Sequence, residues 1–262
     1  MVRQAMTNVK TTGRLAFVAV VILSAPLCQA TDSKPDYYCE YIESTQQNAT
    51  PSPWIDTGIK ATPLTRLSVD LAFGSLKNAS QIGIFGLHYN VTPKFCFIAY
   101  IGDGDLKNID FKYVDGYWNT SSVSSYDLRG SRMTITMDGV AKNFSITSNN
   151  IDGTVETLCS KSMNGVHSWP DDFASEHSIP LFNRYNSSGS TTNLHNRSLC
   201  AKLYGCTIAT NGVMVRNFKP AVSGGVAGLW DEVECRFYAS ASEKAFTAGP
   251  KLKLGGMRII FR

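Results

Sequence analysis

Hydrophobic and polar positions alternate along much of this chain, with a period of two. The clearest stretch is 66–73, RLSVDLAF, where Leu67, Val69, Leu71 and Phe73 share one face and Arg66, Ser68 and Asp70 the other. This is the pattern of a strand with one buried face. Residues 81–89 and 95–101 are almost continuously apolar, as expected of central strands covered on both faces. Residues 37–42 give a first strand, and 111–118 another that Asp115-Gly116 interrupts. In 132–146, Met133, Ile135 and Met137 alternate with threonines, Asp138-Gly139 supplies a two-residue turn, and 140–146 returns. Asn211-Gly212 makes the same turn between 206–210 and 213–218. Both pairs suit a type I′ turn, which needs positive φ at its two central residues. Gly224-Gly225 and Gly228 bend the chain further on, and Trp54, Trp230 and Phe237 are expected to pack inward. The polar segment 149–178 reads as a long excursion over one sheet. No segment has a convincing helical period.

Many short strands with frequent turn signals predict an all-β sandwich or barrel. The first thirty residues stand apart. Arg3, Lys10 and Arg14 form a basic start, 15–27 is a short apolar run, and Cys28-Gln29-Ala30 offers a cleavage site before Thr31. This is the layout of a secretory signal peptide, with an apolar run short for a membrane span. An uncleaved anchor is the lesser alternative. Lipidation at Cys28 is weaker still, because Pro26-Leu27 lacks the small residue it needs. The expected organisation is signal peptide 1–30, tether 31–36, sandwich 37–250, and an extension 251–262 that adds a possible strand at 257–261. Stable membrane insertion after cleavage is not expected.

Export changes the charge argument. The chain carries 25 basic and 21 acidic residues, net +4. Three basic residues lie in the leader, so 22 remain against 21. With no clustered basic face, nucleic acid is not an expected partner. Seven cysteines become six: Cys39, Cys96, Cys159, Cys200, Cys206 and Cys235. Disulfides and buried free thiols both fit an exported chain with this count. Cys200 and Cys206 do not pair within one strand, since six residues span about 20 Å and a disulfide needs Cα atoms within about 7 Å. The spacings are not those of a zinc site.

Candidate chemistry is sparse. His167, Asp171, Asp172, Glu176 and His177 are metal-ligand types close together, but no register gathers both histidines with an acid. Asp103, Asp105 and Asp110 leave calcium open as the one cofactor, without the glycine and terminal glutamate of an EF-hand loop. No Gly-x-Ser-x-Gly elbow occurs. Within 231–234, Glu232 and Glu234 would share a face if that segment were a strand, but no hydrolase carboxylate motif is present and no catalytic residue is assigned. The ligand-binding candidates are aromatic residues with polar neighbours: His88, Tyr89, Tyr113, Tyr117, Trp118, Arg184 and Asn186. Aromatic faces stack on sugar rings, and Asn and Arg bond to hydroxyls. Seven Asn-x-Ser/Thr sequons are present, among them Asn143 and Asn186.

One resemblance covers most of the chain. Tyr41-Ile42-Glu43-Ser44-Thr45, Trp54-Ile55-Asp56-Thr57-Gly58-Ile59-Lys60 and Pro63-Leu64-Thr65-Arg66 begin it. Ile84-Phe85-Gly86, Pro180-Leu181-Phe182-Asn183-Arg184 and Ala201-Lys202-Leu203-Tyr204 continue it. Val215-Arg216-Asn217-Phe218-Lys219-Pro220, Gly228-Leu229-Trp230-Asp231 and Phe246-Thr247-Ala248-Gly249-Pro250 complete it. In this order they resemble the concanavalin A-like (laminin G-like) jelly-roll domains of exported bacterial proteins. The resemblance implies an antiparallel two-sheet jelly-roll and transfers no catalytic set, because this fold hosts lectins, glucanases and adhesive modules alike. The expected role is non-catalytic binding of a glycan, or of an envelope protein, by a secreted, periplasmic or cell-surface chain. A glycoside hydrolase of the same fold and a structural or protein-binding module are the alternatives.

Overall fold

The structure is a computed structural model. It describes residues 34–45, 52–74, 81–89, 95–102, 108–114, 116–119, 131–149, 153–163, 174–188, 191–194 and 199–253. The leader, Asp103, Asp105, Asp115, His167, Asp171, Asp172 and 257–261 lie outside the described residues.

The described residues are strands and turns. In chain order the strands are β1 (Tyr37–Tyr38), β2 (Ile42–Ser44), β3 (Ile55–Lys60), β4 (Thr65–Phe73), β5 (Ile82–Tyr89), β6 (Phe95–Ile101), β7 (Ile109–Tyr113), β8 (Gly116–Asn119), β9 (Arg132–Asp138) and β10 (Asn143–Asn149). They continue with β11 (Val155–Ser162), β12 (Ser178–Leu181), β13 (Tyr185–Ser188), β14 (Thr191–Leu194), β15 (Ala201–Thr210), β16 (Val213–Ser223), β17 (Val226–Asp231), β18 (Arg236–Tyr238) and β19 (Thr247–Ala248).

They form a sandwich of two sheets. The larger runs β11-β10-β9-β4-β15-β16-β17-β18, with β1 on β16 and β2 bridging β15 and β19. The smaller runs β14-β13-β5-β6-β7-β8, with β12 joining β3 to β5. Strand alternation drives the layering. Leu67, Val69 and Leu71 of β4 face inward beside Ile135 of β9, Ile146 of β10 and Ile208 of β15, opposite Leu87, Phe97 and Phe111 of the smaller sheet. Phe111 and Phe144 stack directly between the sheets, ring centroids 4.0 Å apart and 15° from parallel. The antiparallel expectation has one exception, since β13 runs parallel to β5. The chain follows β12 antiparallel to β5, reverses at Phe182 with φ of 66°, and returns alongside the same strand.

Turn geometry separates two predictions that look alike in sequence. Asn211 and Gly212 both have positive φ, 51° and 75°, as a type I′ turn requires. The Asp138-Gly139 turn is different. Asp138 pairs with Asn143, so the loop has four residues, and the left-handed residue is Lys142. Gly139 is needed for space instead: a Cβ there would lie 2.4 Å from the Pro63 carbonyl oxygen.

Three further expectations change. The segment after 149 contains β11, a strand on the edge of the larger sheet with a register shift opposite Ile146 and Thr147, rather than only an excursion. The first strand is split into β1 and β2. Trp230 is buried, but its cluster with Ala221 and Cys235, covered by Tyr38 and Phe237, is separate from the main core. Its partner Lys219 explains this, because Phe218 beside it already takes the inward direction. Cys39, Cys96, Cys159, Cys200 and Cys206 are buried and form no disulfide, and Cys235 is disulfide-bonded.

Candidate functional site

The outer face of the smaller sheet gathers three of the seven ligand candidates. The parallel pairing puts Asn186 directly beside His88. His88 Nδ1 lies 3.0 Å from Asn186 Oδ1, and Lys112 Nζ, from β7, lies 3.1 Å from His88 Nε2. A lysine ammonium can only donate, so Nε2 accepts and the proton sits on Nδ1, donating to Asn186. Arg184 follows the Phe182 turn and lies over Gly83, where a Cβ would come within 2.7 Å of its own. Lys112 and Arg184 flank the Tyr100 ring at 5.8 and 5.0 Å. His88, Tyr100, Asp110 and Arg184 are all buried. Burial holds the Lys112 ammonium below its usual range, against an opposing pull from Cys96 and Asp110.

The remaining candidates do not join that group. Tyr89 and Tyr113 turn to the opposite face and enter the main core. Burial pushes both phenols up to about 12. The Tyr113 hydroxyl donates toward the Pro63 carbonyl at 3.3 Å. Tyr117 and Trp118 lie in β8, in register with Lys112 and Phe111 respectively; their side chains are outside what is described. His177, from the metal-like cluster, stacks on Tyr185 at 4.6 Å and on Tyr89 at 6.4 Å. Among the described residues no three His, Cys, Asp or Glu side chains are grouped to hold a metal.

The outer face of the larger sheet carries an open groove that the residue patterns did not single out. Its volume is about 570 Å³, and Tyr38, Glu40, Arg132, Tyr204, Lys219 and Glu232 contribute to its lining. Two of its lining residues, Arg132 and Tyr204, are held by neighbours. Asp70 of β4 accepts from Arg132 Nε at 2.9 Å and Nη2 at 2.6 Å, and from Asn149 Nδ2 at 3.2 Å. The guanidinium so held lies 4.1 Å from the centre of the Tyr204 ring. Tyr41 meets Tyr204 edge-on at 5.5 Å, and Lys202 Nζ lies 4.5 Å over Tyr41. The bidentate bond to Asp70 raises the Arg132 pKa. Burial, helped by nearby Glu232, raises that of Tyr38.

Glu232 reaches the groove because 232–235 is a turn between β17 and β18, not a strand. Asp231 Oδ1 accepts from the Asn217 and Val233 amides, and Oδ2 from the Glu234 amide. The turn splits the two glutamates. Glu232 accepts from Asn217 Nδ2 at 2.6 Å, whereas Glu234 meets Arg216 at 2.5 Å and the Tyr238 hydroxyl at 2.7 Å. The sequence did hold one signal for Tyr204. In Ala201-Lys202-Leu203-Tyr204 the apolar partners point inward, which leaves the ring on the outer face beside a lysine.

Neither a protein-family description nor a curated protein matches the chain. Among solved structures it is similar to full-length tailspike protein 2 from Escherichia coli O157:H7 bacteriophage CAB120, at 9% identity and a TM-score of 0.41. The similarity covers 70% of this chain and 27% of the tailspike chain.

Proposed function

We propose that this chain is an exported, non-catalytic binding module of the concanavalin A-like jelly-roll class, and that it recognises glycan at the cell surface or envelope. The observation that supports this reading is the groove on the larger sheet. It combines tyrosine rings with carboxylate, ammonium and guanidinium groups in an open trough, the chemistry that stacks on pyranose faces and bonds to hydroxyls. Arg132 and Tyr204 are held in place before any ligand arrives, which lowers the ordering cost of binding. Such open sites bind weakly one at a time and gain from multivalent display. The test is a glycan array probed with the wild-type chain and with Tyr204→Ala, Arg132→Ala and Arg184→Ala. Loss of signal in the first two with retention in the third supports the groove. Loss only in Arg184→Ala moves the site to the smaller sheet. An array without hits, with one envelope protein recovered by pulldown, replaces the glycan reading by a protein-binding one.

A hydrolase reading has one observation in its favour, since Glu40 and Glu232 both line the groove. Release of reducing ends by the wild type, abolished in Glu40→Gln or Glu232→Gln, would establish it.

A further inference from the structure

The outer face of the larger sheet holds a second hollow besides the groove. Its volume is about 440 Å³, and Arg66, Asp138, Val140, Thr207, Ala209 and Met214 contribute to its lining. Strand phase places both hollows on one face. Leu67, Val69 and Leu71 of β4 and Met133, Ile135 and Met137 of β9 enter the core, so Arg66, Ser68 and Asp70 turn outward, as do Arg132, Thr134, Thr136 and Asp138. β9 runs from Arg132 in the groove to Asp138 in the second hollow, a span of about 20 Å at roughly 3.4 Å per residue. The floor between them is built of small side chains. Ser68 pairs with Thr136 on one side and Thr207 on the other, and Ser68 Oγ lies 2.7 Å from Thr136 Oγ1. Thr134 accepts from Asn149 Nδ2 at 2.9 Å, and Gly205 lies beside Asp70. The hydroxyl residues are half-buried, and none of these side chains is long enough to wall one hollow from the other.

Building on the glycan reading of the groove, we infer that groove and hollow are two subsites of one trough, and that the ligand is a neutral linear polysaccharide lying along β4, β9 and β15. A disaccharide is too short to reach both ends. A longer chain that engages one subsite meets the other at high effective concentration, so length adds affinity. Val140, Ala209 and Met214 give the far end an apolar wall for the C–H face of a ring. The hydroxyls of the floor face those of the sugar. The charges favour a neutral chain. Arg66 is engaged with Asp138 at 3.5 Å and Arg132 with Asp70 at 2.6 Å, and Lys219 stands with Glu40 and Glu232 in the groove. The described lining residues therefore carry no surplus of positive charge for a polyuronate. An extended polypeptide is the poorer fit, because β4, β9 and β15 are each already paired on both sides and offer it no strand edge.

The test is titration calorimetry of the full chain with disaccharides and hexasaccharides of glucose, xylose, mannose and N-acetylglucosamine, and with galacturonate hexasaccharide as the acidic arm. Wild type is compared with Tyr204→Ala in the groove, Val140→Ser/Met214→Ser in the second hollow, and Thr207→Arg, which sets a long side chain on the floor. Val140 and Met214 are exposed, so the serine pair spares the core and decides the matter should thermal melts show that the arginine disturbs the fold. For a neutral sugar that binds, the hexasaccharide should be held at least about 10-fold more tightly than the disaccharide. The serine pair and Thr207→Arg should each remove most of that gain and leave disaccharide affinity unchanged, whereas Tyr204→Ala should weaken both lengths. Equal affinity for the two lengths, or a gain that survives the serine pair, overturns the trough and leaves the groove as a site for a short glycan. Tighter binding of galacturonate than of every neutral hexasaccharide overturns the neutral assignment. Binding of no sugar by the wild type overturns the glycan reading of the groove and the trough with it.

Discussion

Asp231 is the side chain on which the groove's rim depends. It is fully buried. It accepts from the Asn217 amide at 2.8 Å, the Val233 amide at 3.1 Å and the Glu234 amide at 3.3 Å, and lies 3.6 Å from Arg216 Nε. Arg216 is itself buried and donates to the Thr57 carbonyl, joining the two sheets. Asp231→Ala removes the acceptor from three amides and leaves Glu234 as the remaining carboxylate on Arg216 among the described residues. A buried donor left unmatched costs about 1–3 kcal/mol. Loss of one member of a buried ion pair costs about 3–5 kcal/mol. The two contributions share the same oxygens and Glu234 remains, so they do not add, and about 3–4 kcal/mol is expected. With a urea slope near 3 kcal/mol/M, the unfolding midpoint falls by about 1 M. Asp231→Asn keeps an oxygen for Asn217 and Val233 and should recover roughly half of that loss. Because the same turn delivers Glu232 to the groove, ligand retention should fall in the same order. A midpoint for Asp231→Ala within about 0.3 M of wild type, equivalent to about 1 kcal/mol, refutes the argument.

Phe111 and Phe144 come from opposite sheets and stack, so a double-mutant cycle with leucine at each should show coupling of about 0.5–1.5 kcal/mol in urea unfolding; coupling near zero means the rings do not meet. Gly139→Ala presses a methyl against the Pro63 carbonyl and should cost about 1–3 kcal/mol. Gly212→Ala meets open space and only the strain of its positive φ, about 1–2 kcal/mol; thermal melts that show Gly212→Ala as clearly the more damaging would contradict the two roles. Burial pushes the Tyr89 and Tyr113 phenols up from their ordinary 10 to about 12. A raised folded pKa means their contribution is fully present below pH 10 and is lost as pH rises toward 12. Stability should therefore decline in that window, less steeply for Tyr113→Phe; phenolate absorbance from all tyrosines by pH 10 in the folded chain would rule it out.

The sandwich was legible because its inward residues recur with period two. Leu67, Val69 and Leu71 take the core as the pattern demands, and the apolar runs 81–89 and 95–101 are central strands. Turn chemistry was legible only where one requirement acts alone. Asn211-Gly212 needs positive φ and nothing else, and reads correctly. Asp138-Gly139 has the same letters but answers to a distant contact, the approach of Pro63, which local sequence does not encode. The same limit applies to the reversal at Phe182, where a bulky residue holds φ of 66° because the strands on either side of it both pair with β5.

The site was harder to read, and the reason is which face each aromatic takes. His88 and Tyr89 are neighbours in sequence and stand on opposite faces of one strand. Tyr113 follows Lys112 and parts from it in the same way. Reading aromatics by proximity along the chain therefore mixed core tyrosines with outward groups. Reading them by phase separates Tyr89 and Tyr113 from His88, and brings out Tyr204 beside Lys202. The two outer faces then differ in kind. On the smaller sheet His88, Asp110 and Arg184 are buried, and His88 is fixed between half-buried Lys112 and Asn186. On the larger sheet Arg132, Lys219, Glu40 and Glu232 border open space. A ligand must exchange its own hydration for protein groups, and only groups that still face water can make that exchange without first breaking a buried network. That is the physical reason for proposing the groove, rather than the surroundings of His88, as the binding site.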